Sequence, residues 1–271
     1  MGSSLQLLHD VDSLTDDQAR EEYQNILARK LAAASAREEL DAILLVLRKR
    51  RWRDDPVVWA RERLGVFLWS KQAQILQALK DFHKVAAMTC HEIGKSFAAA
   101  VATGYWIDIN LPGEACVVTT APTGRQVRAV LWKEIGRVQA KGLGGRTNQT
   151  EWMMHVPQSN KEELVAFGFK PADFDPTAFQ GIHAPKILVI PDEACGIPTL
   201  LYDAFSSLGA NDESRILAIG NPDFTNSEFF RICQPGSGWH VVQIGAFDTP
   251  NFTGEDVPEF LSKSLIGKTY V

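Results

Sequence analysis

Residues 85–96 read Val-Ala-Ala-Met-Thr-Cys-His-Glu-Ile-Gly-Lys-Ser: an apolar run stops at Thr89, and a short loop closes on Gly94, Lys95 and Ser96. These residue types suit a phosphate chain. Gly94 lets the backbone turn tightly and approach an anion without a Cβ in the way. The N–H groups of a loop running through Cys90, His91, Glu92 and Ile93 can then face one concavity. A helix beginning near Lys95 adds free N–H groups and the positive end of its dipole. Lys95 can reach the outer phosphates, and the Ser96 hydroxyl can ligate Mg2+. The expected ligand is a nucleoside triphosphate. The usual pattern opens on Gly where this chain has Thr89, and an ordinary turn ahead of an amphipathic helix also accounts for the triplet taken alone.

Other stretches supply further parts of such a site. Lys186-Ile-Leu-Val-Ile-Pro-Asp-Glu-Ala194 is an apolar strand ending in two adjacent carboxylates. Side chains alternate along a strand, so Asp192 and Glu193 point differently and can do different work. Asp192 suits holding Mg2+ beside Ser96, and Glu193 suits orienting and deprotonating water. Pro191 lacks an N–H, which predicts that the strand's ladder ends there. Arg215-Ile-Leu-Ala-Ile-Gly-Asn-Pro222 is another apolar strand, and its Asn221 would sit where open α/β sheets bind ligands. A plain Gly-Asn-Pro turn explains that composition equally well. Gln72 can pair with an adenine edge, or lie exposed on an amphipathic helix. Val117 to Thr123, followed by Gln126, reads as a strand, a turn and a helix start, with Arg125 and Arg128 able to touch a DNA backbone.

These groups need a parallel sheet to carry them. Candidate strands are Val85–Thr89, Ala115–Thr120, Leu164–Phe167, Ile187–Ile190, Arg215–Ile219 and His240–Ile244. Helical stretches alternate with them, which favours an α/β sheet covered on both faces. Lys141 to Gln149, rich in Gly, reads as a loop. Residues 1–56 are helical in character, with capping boxes at Thr15/Gln18 and Ser35/Glu38 and a break at Asp54-Asp55-Pro56. Residues 57–271 form the main domain. The basic run Arg48 to Arg53 suits either a helix end or DNA phosphates. The chain of 271 residues carries a net charge of −5, so any nucleic-acid contact must come from local basic patches. No apolar run is long enough for a bilayer, and no signal peptide is evident. The four cysteines are far apart, which argues against structural zinc and a disulfide framework and fits a reducing setting.

In this order the stretches resemble the ATPase domain of the large terminase subunit, the DNA-packaging motor of tailed bacteriophages. The matching segments are Trp69-x-x-Gln72-x-x-Ile75-Leu76, Thr89 to Ser96, Thr120-Ala-Pro-Thr123-x-x-Gln126, Phe179-Gln-Gly-Ile-His-Ala184, Ile187 to Ala194, Gly220-Asn-Pro222 and Asp248-Thr-Pro-Asn251. The resemblance spans residues 57–252. It implies a P-loop NTPase of the additional-strand, catalytic-glutamate type, using ATP and Mg2+. It makes Gln72 and the loop Thr89 to Ser96 nucleotide contacts, Ser96 and Asp192 the metal pair, and Glu193 and Lys95 catalytic. Gly220, Asn221 and Pro222 become the motif coupling hydrolysis to DNA movement. Implied partners are double-stranded DNA, a capsid portal, a small terminase subunit and other copies in a pentameric ring on the procapsid, with a monomer in isolation. The implied location is the host cytoplasm, with transient docking on the procapsid.

The chain departs from that family in three places. Many relatives carry Arg within the loop, where this chain has Cys90, His91 and Glu92, so His91 is the candidate replacement. Many also carry Arg where Gln180 stands, which leaves Arg125 and Arg146 as candidate arginine fingers. The family's nuclease domain has no counterpart before Val271, so an ATPase domain without nuclease activity is expected. A helicase-like or restriction-type DNA translocase, and a nucleotide-binding scaffold that does not hydrolyse, are the alternatives.

Overall fold

The computed structural model describes residues 14–29, 34–111, 113–156, 159–170, 184–208 and 211–269. Helices α1 (Asp16–Arg29), α2 (Ala34–Asp54), α3 (Pro56–Leu64) and α4 (Ser70–Asp81) precede strand β1 (Lys84–Thr89). Helix α5 (Lys95–Ile109), β2 (Ala115–Thr120) and α6 (Trp132–Gln139) follow, α6 being entered through a wide turn at Gln126–Leu131. Then come β3 (Arg146–Thr147), β4 (Glu151–Val156), β5 (Lys161–Phe169), β6 (Lys186–Pro191), α7 (Thr199–Leu208) and β7 (Arg215–Gly220). The chain continues through α8 (Glu228–Ile232), β8 (His240–Ile244), α9 (Pro250–Thr253) and α10 (Glu259–Ser264).

These eight strands form one sheet in the order β3-β4-β5-β2-β6-β7-β1-β8. From β5 to β8 the pairing is parallel, and β3, β4 and β5 pair antiparallel. Each central strand sends alternate side chains to two cores. Val85, Ala87, Leu188, Ile190, Leu217 and Ile219 face α3 to α6. Ala86, Ile187, Val189, Ile216 and Ala218 face α7 and α8. Burial on both faces is why these strands read as unbroken apolar runs.

The six strands expected from sequence are the six parallel ones. The edge hairpin departs from the sequence reading. Arg146 and Thr147, read as loop, form β3, and Glu151–Val156 forms β4 with Glu151 and His155 exposed. Pairing to β5, rather than local propensity, makes these residues strand. β6 does end at Pro191, as its missing N–H predicts. Pro191 is paired with Thr120, and the Asp192 N–H donates to the Thr120 carbonyl at 2.8 Å.

The helical segment packs its own small core of Ala19, Ile43 and Val46. The Thr15/Gln18 capping box forms. The Ser35 and Glu38 side chains lie outside the described residues. Asp55 caps α3 by accepting from the N–H groups of Val57 and Val58, with Pro56 in its first turn. Much of the basic run makes contacts within the protein. Lys49 and Arg53 donate to the carbonyls of Asn110 and Ile109, at the end of α5. Arg50 binds Asp16 and the Leu14 carbonyl, and Arg51 pairs with Glu62. Orphan carbonyls at a helix C-terminus attract cations, so this run ties α2 to the main domain. Among the described residues, no helix is long and apolar enough to cross a membrane.

Gly168 on β5 meets a close approach. A Cβ there would lie 2.2 Å from Trp132 Nε1, which donates to Thr119 Oγ1 at 2.9 Å. Gly168→Ala should displace the indole and destabilise the fold by about 1–3 kcal/mol, read as a lower denaturant midpoint. An unchanged midpoint would show that this wall is not closely packed.

Candidate active site

The parallel order places the carboxyl ends of β6, β7 and β1 side by side. β1 ends at Thr89, β7 at Gly220 and β6 at Pro191, so the loop, Asn221 and the two carboxylates emerge at one sheet edge. β7 lies between the loop strand and the carboxylate strand, which is the additional-strand arrangement.

Gly94 takes φ 78° at the start of α5, and a Cβ there would lie 2.6 Å from Gln72 Nε2. Both demands leave only glycine. Glu92 and Glu193 also hold positive φ, 52° and 47°. Such backbone is costly for residues with a Cβ and marks a site held by its surroundings.

Lys95 is buried. Its Nζ donates to Asn221 Oδ1 at 2.9 Å and to the Cys90 carbonyl at 3.3 Å, and lies 3.9 Å from Glu193 Oε1. Its positive charge therefore has dipolar partners close by and a carboxylate only at long range. Ser96 Oγ donates to Asp192 Oδ2 at 3.2 Å, and the Glu193 N–H donates to Asp192 Oδ1 at 3.0 Å. Asp192 is 1% exposed. Burial, and then the charge of Glu193, pushes its carboxyl up from 3.8 to about 6. A hydroxyl and a carboxylate facing one another are the hard oxygen ligands that Mg2+ takes when phosphates and water complete its shell. The residues present fit that ion.

Thr89 occupies the place of the family's first glycine, and its hydroxyl has a use. It lies 3.1 Å from both the Gly220 carbonyl and Asn221 Oδ1. Asn221 Nδ2 reaches the His91 ring nitrogens at 3.1 Å. His91 therefore meets Asn221 and stays exposed. Burial raises the Cys90 thiol, which agrees with a small filler rather than a reactive thiolate. Pro222 follows Asn221 outside the strand.

Gln72 is fully buried, and its Nε2 faces the carbonyls of Ile93 and Gly94 at 3.3 and 3.4 Å. In this conformation the amide props the loop, and its Oε1 has no hydrogen-bond partner among the described residues. The segment from Thr123 opens as expected, Thr123 and Gln126 capping one another. Of the Phe179 to Ala184 stretch, residues 179–183, including Gln180, lie outside the described residues.

A cavity of about 900 Å³ opens beside Lys95, Ser96 and Glu193. Phe67, Phe260 and Leu265 give it an apolar wall. Sequence motifs do not mark these residues, because the last two arrive through a tertiary contact. The Ile266 N–H donates to the Glu92 carbonyl, and Asn251 Nδ2 donates to the Ser262 and Ile266 carbonyls. Asn251, within Asp248-Thr-Pro-Asn251, thus fastens the closing segment over the loop. Of the arginines, Arg137 lines the cavity, where it pairs with Glu134. Arg125 is exposed just after β2, and Arg146 is held by Glu162 on the edge hairpin.

No protein-family model matches the chain, and no curated protein does. Solved structures do. The large terminase ATPase domain of Thermus phage P74-26 aligns over 76% of this chain and 95% of its own, at 15% identity and a TM-score of 0.52. A mutant of that domain aligns over 69% and 85%, at 16% identity and a TM-score of 0.51. The large terminase of a second thermophilic bacteriophage aligns over 64% of this chain and 45% of its own, at 14% identity and a TM-score of 0.49. The likeness to the P74-26 domain shows the fold: this chain shares the α/β fold of that large terminase ATPase domain.

Because the folded state raises the Asp192 pKa, it binds more protons than the unfolded chain between pH 3.8 and about 6. Stability of the metal-free protein should therefore fall as pH rises through that window. Asp192→Asn should stabilise the metal-free protein at pH 7.5 by on the order of 2–3 kcal/mol, with the gain vanishing below about pH 4. Thermal melts in chelator at both pH values check this. A variant less stable at pH 7.5 would contradict it.

Proposed function

We propose that this chain hydrolyses ATP as the motor domain of a terminase-type DNA-packaging machine. The observation that carries the reading is the meeting of Lys95, Ser96, Asp192, Glu193 and Asn221 at one sheet edge, with β7 between the loop strand and the carboxylate strand. The fold it shares with large terminase ATPase domains supports the same conclusion.

The residues divide the work. Loop N–H groups and the start of α5 hold the phosphate chain. Lys95 exchanges its dipolar partners for phosphate oxygens and neutralises charge that grows on them during transfer. Glu193 orients a water toward the γ-phosphorus and takes its proton as the bond to the β-phosphate oxygen breaks. Ser96 and Asp192 would hold Mg2+, which supplies positive charge to the phosphates when bound. The apolar wall of Phe67 and Phe260 covers the nucleoside. Gln72 Oε1 is a buried acceptor without a partner among the described residues, and turning its amide toward the cavity would offer it to the amino group of adenine.

Asn221 transmits the event. It joins Lys95 to Thr89 and His91, so moving Lys95 onto phosphate leaves its oxygen to Thr89 alone and unsettles the end of β7. Coupling that change to double-stranded DNA, in a ring of copies seated on a capsid portal with a small terminase subunit selecting the genome, completes the proposed role. In such a ring a neighbouring copy supplies an arginine, with Arg125 and Arg146 the exposed candidates, Arg146 being paired with Glu162, and Arg137 acts within its own chain.

Phosphate release from ATP and Mg2+ by the wild-type chain, Lys95→Ala and Glu193→Ala tests the reading. Both variants should lose roughly 100-fold or more in turnover. Equal turnover in all three would remove the assignment.

A further inference from the structure

A second cavity lies at the opposite edge of the sheet, where β6 and β7 begin. It measures about 240 Å³, and Arg53, Lys80, Lys186 and Arg215 converge on it, with Glu213 the one lining carboxylate among the described residues. The packing around it is firm. The Tyr105 hydroxyl donates to the Arg53 carbonyl at 3.0 Å, and Trp106 Nε1 donates to the Lys186 carbonyl at 3.2 Å.

Two of the cations are partly answered. Lys80 pairs with Asp81, and Lys186 with Glu114, each at 3.2 Å. Arg53 Nε is committed to the Ile109 carbonyl. Arg215 differs. Its hydrogen bonds run through Nη1, to the carbonyls of Asp212 and Ser214 and to His83 Nδ1. Its Nε is buried and finds no partner among the described residues. The Nε and Nη2 edge of a guanidinium is a fork that matches two oxygens of one phosphate or carboxylate. A buried N–H left without an acceptor costs free energy that an arriving anion recovers. Burial holds the Arg215 pKa below the ordinary guanidinium value, against the opposing charges of Glu213 and Asp212.

We propose that this cavity binds a phosphate group, with the Arg215 fork as its principal contact and Lys80, Lys186 and Arg53 supplying the remaining positive charge. The site is separate from the loop at Gly94 and does not depend on the nucleotide reading. The phosphate comes either from a small free anion or from the backbone of a DNA duplex.

Pyrophosphate titrated calorimetrically into Lys95→Ala, where the loop site is disabled, reads the free-anion source. Arg215→Gln in that background should weaken binding about tenfold or more. Because Arg215 also holds the Asp212–Ser214 turn, Lys80→Gln serves as the second variant and should weaken binding by a smaller factor. Duplex DNA binding, measured by anisotropy at several salt concentrations, reads the other source. There both variants should lower affinity and reduce the salt slope by about 1. A response in the first arm alone assigns a free anion, and a response to duplex alone assigns the backbone. No change in either arm with either variant would overturn the proposal.

Discussion

The ammonium of Lys95 is buried with its nearest carboxylate oxygen, on Glu193, 3.9 Å away, and much of the architecture serves to hold it there. A buried charge without close compensation is costly, and here dipoles supply the compensation. Asn221 Oδ1 and the Cys90 carbonyl point at the nitrogen. Neither is a formal charge, so a phosphate can displace them with a net gain. Nearby, the buried Asp192 carboxyl carries an elevated pKa, because burial and the charge of Glu193 outweigh the help it receives from Ser96 and Lys95. On the proposed reading, a metal-bound polyphosphate would relieve both the under-compensated cation and the under-compensated anion, so that stability surrendered without the ligand would become affinity for it.

Strand order makes this arrangement. A parallel sheet exposes all its carboxyl ends on one edge, and the sequence β6-β7-β1 sets the groups in a row. β7 in the middle is what lets one asparagine touch both Lys95 and Thr89. The same strand reaches the opposite edge at Arg215, which lines the second cavity. β7 therefore carries a polar contact at each end, and the apolar residues between are packed in both cores.

The parallel strands were legible because burial on both faces leaves an unbroken apolar run. The Glu151–Val156 strand was not, because one half of it faces solvent and its partner is set by tertiary pairing. The phosphate loop and the two carboxylates were visible because each sits directly at the end of such a run. Thr89 looks like a defect until β7 is placed beside it, since its partners at Gly220 and Asn221 are distant in sequence. The Arg48 to Arg53 run offers two readings, and the location of the α5 terminus is what gives Lys49 and Arg53 their structural contacts. Gln72 stands out by its motif, yet its buried setting against Ile93 and Gly94 depends on how α4 meets the loop. Arg137, Phe67 and Phe260 carry no local signal, because nothing in their neighbours in sequence records which cavity they line.

The central claim is that Lys95 waits for phosphate. Calorimetric titration of a non-hydrolysable ATP analogue with Mg2+, into the wild-type chain and Lys95→Ala, measures it directly. Wild type should bind the analogue, and the variant should bind it at least about tenfold more weakly. Absence of binding by the wild-type chain, or equal affinity in the two proteins, would contradict the account.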